Sequence, residues 1–189
     1  RVRYNAPVTL TFTALAALVT IIDACTAHTF VAACCTAPPS LAWDVVGNIR
    51  FLTYVLGHGS WTHLAGNATL LLLLGPMVEA RYGSRSLAIM IALTALATGI
   101  ANALAFDTGL LGASGIVFML IVLSSLTNIR AGEIPMTFIL VVLIYGTSEV
   151  THALRADGIS QFAHLFGGIC GAMFGFATGR TPASATDNA

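Results

Sequence analysis

The sequence has no lysine and few charges of any kind: eight arginines and eight acids in 189 residues, 8% in all. Soluble domains carry about 25% charged residues. So small a supply cannot cover a water-facing surface, which excludes an ordinary soluble domain. The formal net charge of zero offers nothing to nucleic acid, and there is no polybasic run to read as a lipid site. Metal chemistry also lacks its signatures. There is no Cys-x-x-Cys and no zinc spacing; His58 and His63 are five apart rather than at the i, i+4 spacing of a helical pair, and no His-Glu-x-x-His is present. Cys25 and Cys170 lie in apolar segments and read as small buried hydrophobes. Cys34 and Cys35 are adjacent, so a bridge between them would be strained, while one to Cys25 stays open.

What is present is apolar length. Hydrophobic residues make up 57% of the chain and the mean hydropathy is +0.87. A spanning helix needs about 20 mostly apolar residues. Six segments approach this: Val8–Ala27, Thr62–Val78, Ser86–Phe106, Ser114–Leu126, Ile134–His152 and Ile159–Thr178. The chain therefore reads as an all-α polytopic membrane protein, one six-helix domain over residues 1–180. Residues 181–189 read as a disordered polar tail. The first segment is too long for a signal peptide and lacks a clear cleavage site. The fourth is short, so it must start below the lipid surface or be shielded by neighbours.

Arginine placement orients the bundle. With the N-terminus in the cytoplasm, Arg1, Arg3, Arg81, Arg85, Arg130 and Arg180 fall inside, and only Arg50 and Arg155 fall outside. The positive-inside rule then puts both termini in the cytoplasm. The long first outer loop, about His28 to Trp61, carries the amphipathic stretch Trp43 to Leu52 and should lie partly in the membrane interface.

Under this topology segments two, four and six run from outside to inside, and their polar residues gather near their outer ends. His63 and Asn67 are one turn apart on a shared face. Ser114 opens segment four. His164 lies about five residues into segment six, roughly 8 Å down at 1.5 Å per residue. Polar side chains inside membrane segments are costly and mark function. A serine hydroxyl becomes a nucleophile when a base takes its proton, and His164 can serve. At a helix N-terminus Ser114 sits among free backbone N–H groups, where an oxyanion would be stabilised. Asn67 and His63 can add donors. No carboxylate lies mid-span in segment four or six, so the expectation is a Ser–His dyad. Phe118, at i+4 from Ser114, could hold the imidazole. Gly167, Gly171 and Gly175 recur every four residues, the small-residue pattern that lets membrane helices approach closely.

Taken singly, each feature has a plainer explanation. Membrane serines often bond the preceding turn. His164 alone could be a packed bundle histidine or a proton relay in a small transporter, and Asn67 alone could be interhelical glue. The joint pattern carries the reading.

At these residues the chain resembles the rhomboid family of intramembrane serine proteases. The similarity runs from about Val8 to Thr178. It lies in His58-Gly59-Ser60-Trp61-Thr62-His63 continuing to Asn67, in Glu79-Ala80-Arg81, in Gly112-Ala113-Ser114-Gly115 with Phe118, and in Ala163-His164 followed by Gly167 and Gly171. The resemblance implies Ser114 as nucleophile and His164 as general base. It implies an oxyanion hole of Asn67, His63 and the Ser114 amide, and substrate gating by segment five and the loop from Ala153 to Ser160. Where the family has a Trp-Arg pair in the first loop, this chain has Ile49-Arg50, keeping the arginine alone. The expected activity is cofactor-free cleavage of transmembrane protein substrates near the outer boundary of a bacterial plasma membrane. A catalytically silent rhomboid-like protein that binds membrane clients is the alternative.

Overall fold

The computed structural model describes residues 4–41, 44–126 and 159–178, together with 136, 139, 140 and 143. Seven α-helices are defined within these ranges: α1 Pro7–Cys25, α2 Phe30–Cys34, α3 Val45–Thr53, α4 Trp61–Tyr82, α5 Ser84–Ala105, α6 Ser114–Ser125 and α7 Ile159–Thr178. A 3₁₀ turn, Tyr54–Leu56, follows α3. No strand occurs among the described residues, only one antiparallel bridge between Ala37 and Leu110. Five of the six expected segments are thus helices with bounds close to those read from the sequence. Of the fifth, Met136, Ile139, Leu140 and Leu143 are helical and exposed; the rest of it and the gating loop up to residue 158 lie outside the described residues, as does the tail. Two helices, α1 and α5, are long and apolar enough to cross a membrane by length and composition.

The helices are inside out by the standards of a soluble protein. On α1, Leu18 is 50% exposed while Thr9 is 2% and Asp23 6%. On α5, Ile89 and Leu93 face outward, whereas Thr94, Thr98 and Asn102, spaced by four, are fully buried. Apolar residues out and polar residues in is the arrangement expected where the solvent is hydrocarbon, because a polar group must then find its partner inside the bundle.

Those partners join the helices. Glu79, near the end of α4, accepts from the Val8 and Thr9 backbone N–H groups at 2.9 and 3.0 Å and from the Thr9 hydroxyl at 2.8 Å. It thereby satisfies donors that the first turn of a helix cannot place internally, and it fixes α1 to α4. At the opposite end of α1, Asp23 accepts from the Val31 N–H at 2.8 Å and pairs with His28 Nδ1 at 2.9 Å, which pins α2.

α6 occupies the centre. It has only 12 residues, about 18 Å at 1.5 Å per residue. Gly115, Ile116, Val117 and the run Met119 to Leu123 are all buried. A helix that is apolar all round belongs inside, and here neighbours rather than lipid surround it. α7 lies directly against it. A Cβ on Gly167 would run into the Gly115 carbonyl, one on Gly171 would come within 2.5 Å of the Met119 carbonyl, and one on Gly175 within 2.5 Å of Leu126. The pairing advances in the same direction along both helices, so α6 and α7 run parallel. The expected reason for the glycine ladder, close helix approach, holds.

The four cysteines are free, with Cys35 and Cys170 buried and Cys34 exposed. Cys25 is exposed at the end of α1, not buried as its apolar segment suggested.

Candidate active site

Ser114 is the first residue of α6, and the turn that delivers it depends on Gly112. That residue has φ +112°, a region side chains rarely adopt. A Cβ there would also lie 2.7 Å from the His63 ring. The Gly112 N–H donates to the Tyr54 carbonyl at 3.0 Å, and the bridge of Ala37 with Leu110 lies just before it. The first loop therefore braces the approach to α6.

Arg50 does much of the bracing in that loop. Its Nε donates to the Thr36 carbonyl at 2.6 Å and its Nη2 to the Ala32 carbonyl at 3.1 Å. The fork ties α3 to α2 and the segment after it. The tryptophan missing at position 49 is replaced by an isoleucine that is exposed, as are Val45 and Leu52 on the same helix. An apolar outer face of this kind suits an interfacial helix.

His164 faces Ser114's helix. Its ring stacks on Phe118 with centroids 4.3 Å apart and planes 7° from parallel. Phe118 lies one helical turn below Ser114 on the same face. Beside this pair the backbones nearly touch: a Cβ on Gly115 would sit 3.2 Å from the Ala163 carbonyl, and Gly167 abuts Gly115 itself. Ser114 and His164 are each partly buried.

The third group sits on α4. Ser60 caps this helix, its hydroxyl accepting from the His63 N–H at 3.1 Å, which sets the ring that packs on Gly112. Serine at a helix start is a recognisable cap signal, and sequence reasoning passed over its role here. His58, 2% exposed, meets His63 edge to face at 5.0 Å between centroids. His58 Nδ1 is 3.2 Å from the Leu56 carbonyl, and the Asn67 Nδ2 is 3.1 Å from His58 Nε2. A carbonyl only accepts, so Nδ1 donates to it and Nε2 accepts from the Asn67 amide. Burial is the main reason the His58 imidazole is pushed down to about 4, with the neighbouring His63 in the same direction and the Leu56 carbonyl opposing. His58 is therefore neutral near pH 7, which matches its acceptor role.

Three helices and one loop thus bring Ser114, His164, Phe118, His63, Asn67 and His58 to one end of the bundle. No group of three or more His, Cys, Asp or Glu able to hold a metal ion occurs among the described residues. The arrangement offers a hydroxyl at a helix N-terminus, an imidazole one turn away on the facing helix, and amide and imidazole donors opposite.

The family model for the Rhomboid domain matches residues 47–181, well over half of the chain and every one of these side chains. No individual curated protein matches. The inside-out bundle, the serine at the head of a buried short helix and this match lead to one conclusion: the chain belongs to the rhomboid family of integral membrane proteins.

Proposed function

We propose that the chain is an intramembrane serine endopeptidase that cuts transmembrane protein substrates near the outer membrane boundary. The stacking of His164 on Phe118 carries the reading, because it holds a base one turn from Ser114 on the facing helix. In the proposed reaction His164 takes the proton from Ser114 Oγ as the oxygen attacks the scissile carbonyl carbon. The carbonyl oxygen becomes an oxyanion, met by the Ser114 backbone N–H, the Asn67 amide and His63. His164 then gives its proton to the leaving amine as the C–N bond breaks, leaving an acyl-enzyme. Water, deprotonated by His164, attacks the ester and restores Ser114. No cofactor takes part.

Six spans, both termini in the cytoplasm and a bacterial plasma membrane are proposed from the sequence, and gating by the fifth segment from the family resemblance. Water reaches Ser114 from the outer face, where the polar ends of α4, α6 and α7 gather.

Replacement of Ser114 by Ala should reduce cleavage of a membrane-embedded reporter to background, and should abolish labelling by a fluorophosphonate probe, as should His164→Ala. Undiminished cleavage by Ser114→Ala would overturn the assignment. Absence of both cleavage and labelling in the unaltered protein would favour the silent client-binding alternative.

A further inference from the structure

At the end of the bundle away from Ser114, α1 and α5 part and leave a laterally open groove of about 380 Å³. Val8, Phe12 and Leu15 form one wall, and Ala88 and Ile91 the other. The seven steps from Val8 to Leu15 rise about 10 Å, roughly two thirds of one leaflet of a 30 Å hydrocarbon core. Ala88 is exposed on the α5 side, and its small side chain leaves the groove open there. The mostly apolar lining of the groove, which follows α1 from Val8 to Leu15, suits an acyl chain lying along the helices.

Polar groups stand near one end of the groove. Arg85 precedes Ala88 by three residues, so it stands over the same face of α5 one turn nearer the helix start. It is exposed, and no acid pairs with it among the described residues. Glu79, the acid at this end among the described residues, is occupied by the first turn of α1. At the same end, the Tyr4 hydroxyl lies 3.3 Å from the Pro7 carbonyl and 2.7 Å from the Thr11 hydroxyl, which places a phenol there. Tyrosine and arginine at a helix end mark the headgroup level.

We propose that this groove binds one anionic phospholipid, its acyl chain between α1 and α5 and its phosphate at Arg85. The occupant is fixed by charge complementarity: a cation with no acid paired to it among the described residues stands next to an apolar slot. The chain has no polybasic run, and this site needs none. The site uses neither Ser114 nor His164, so its fate is separate from that of the proteolytic reading.

Native mass spectrometry of the whole protein released from detergent tests it, with phosphatidylglycerol and phosphatidylcholine of identical acyl chains as probes. The unaltered chain should retain one phosphatidylglycerol at least about fivefold more than phosphatidylcholine, the equivalent of about 1 kcal/mol. Arg85→Gln should erase the preference between the two; the side chain is exposed, so the fold stands. Ala88→Phe, which fills the slot, should lower retention of both. Excess glycerol 3-phosphate should leave the adduct in place. Equal retention of the two lipids by the unaltered chain, unchanged retention in either variant, or displacement by glycerol 3-phosphate would each overturn the proposal.

Discussion

Asn67 carries two amide hydrogens, and His58 takes one of them, leaving the other for a ligand at the site. The resting hydrogen bond fixes which way the amide points. It also makes the site sensitive to acid through a residue that touches no substrate in the proposed reaction. Burial holds His58 at about 4, against an ordinary value of 6.5. Between those values the unfolded chain binds a proton that the folded chain refuses, so stability falls as pH drops from 6.5 towards 4 and levels off below. Thermal denaturation in detergent across that range should show the slope. His58→Gln should start less stable at pH 7 and show a shallower slope in the same window. Parallel slopes in the two proteins would exclude His58 as the titrating group.

Between elements, the contact of α6 with α7 sets the chemistry, because each helix carries one member of the proposed dyad. Gly167 is the pivot. An added Cβ would meet the backbone of Gly115, its carbonyl carbon at 2.7 Å and its Cα at 2.9 Å, and backbone cannot rotate away as a side chain can. Gly167→Ala should therefore force the helices apart, with a loss of about 1–3 kcal/mol and of fluorophosphonate labelling. Gly168→Ala is the control: its Cβ would meet Val122 at 3.6 Å, an ordinary contact. It should melt within a few degrees of the unaltered chain and label normally. Equal effects of the two substitutions on melting would remove Gly167 from this role.

For the molecule as a whole, Glu79 and the Ser114 end of the bundle stand far apart, and polar ties also occur between them, the Tyr54 hydroxyl donating to the Ala95 carbonyl at 3.2 Å. Glu79 is 12 residues from Asn67 along α4, about 18 Å away. Its carboxylate is 3% exposed and accepts three hydrogen bonds from α1. Glu79→Ala strands those buried donors, at a cost of about 1–3 kcal/mol. The expected result is a lower melting temperature with fluorophosphonate labelling retained below it, since the site stands at the far end. Loss of labelling in protein that is still folded would show that the ends of the bundle are coupled.

The sequence by itself determined the class and most helix bounds, and it named the residues of the candidate site. Scarce charge leaves no water-facing surface, apolar length measures the spans, and helical spacing puts Phe118 under Ser114 and Asn67 one turn from His63. These are local consequences of composition and of 3.6 residues per turn. Long-range partnerships were not legible. Nothing in the spacing of His58 and Asn67 shows that the imidazole accepts from the amide, because a loop residue folds back across a helix start to make that bond. The anchoring of α1 by Glu79 spans about 70 residues, and the burial of α6 on nearly every side is a property of its neighbours. Tertiary structure decided these, for a physical reason: in a hydrocarbon solvent each buried polar group must find a partner within the protein, and which one it finds depends on how the helices pack.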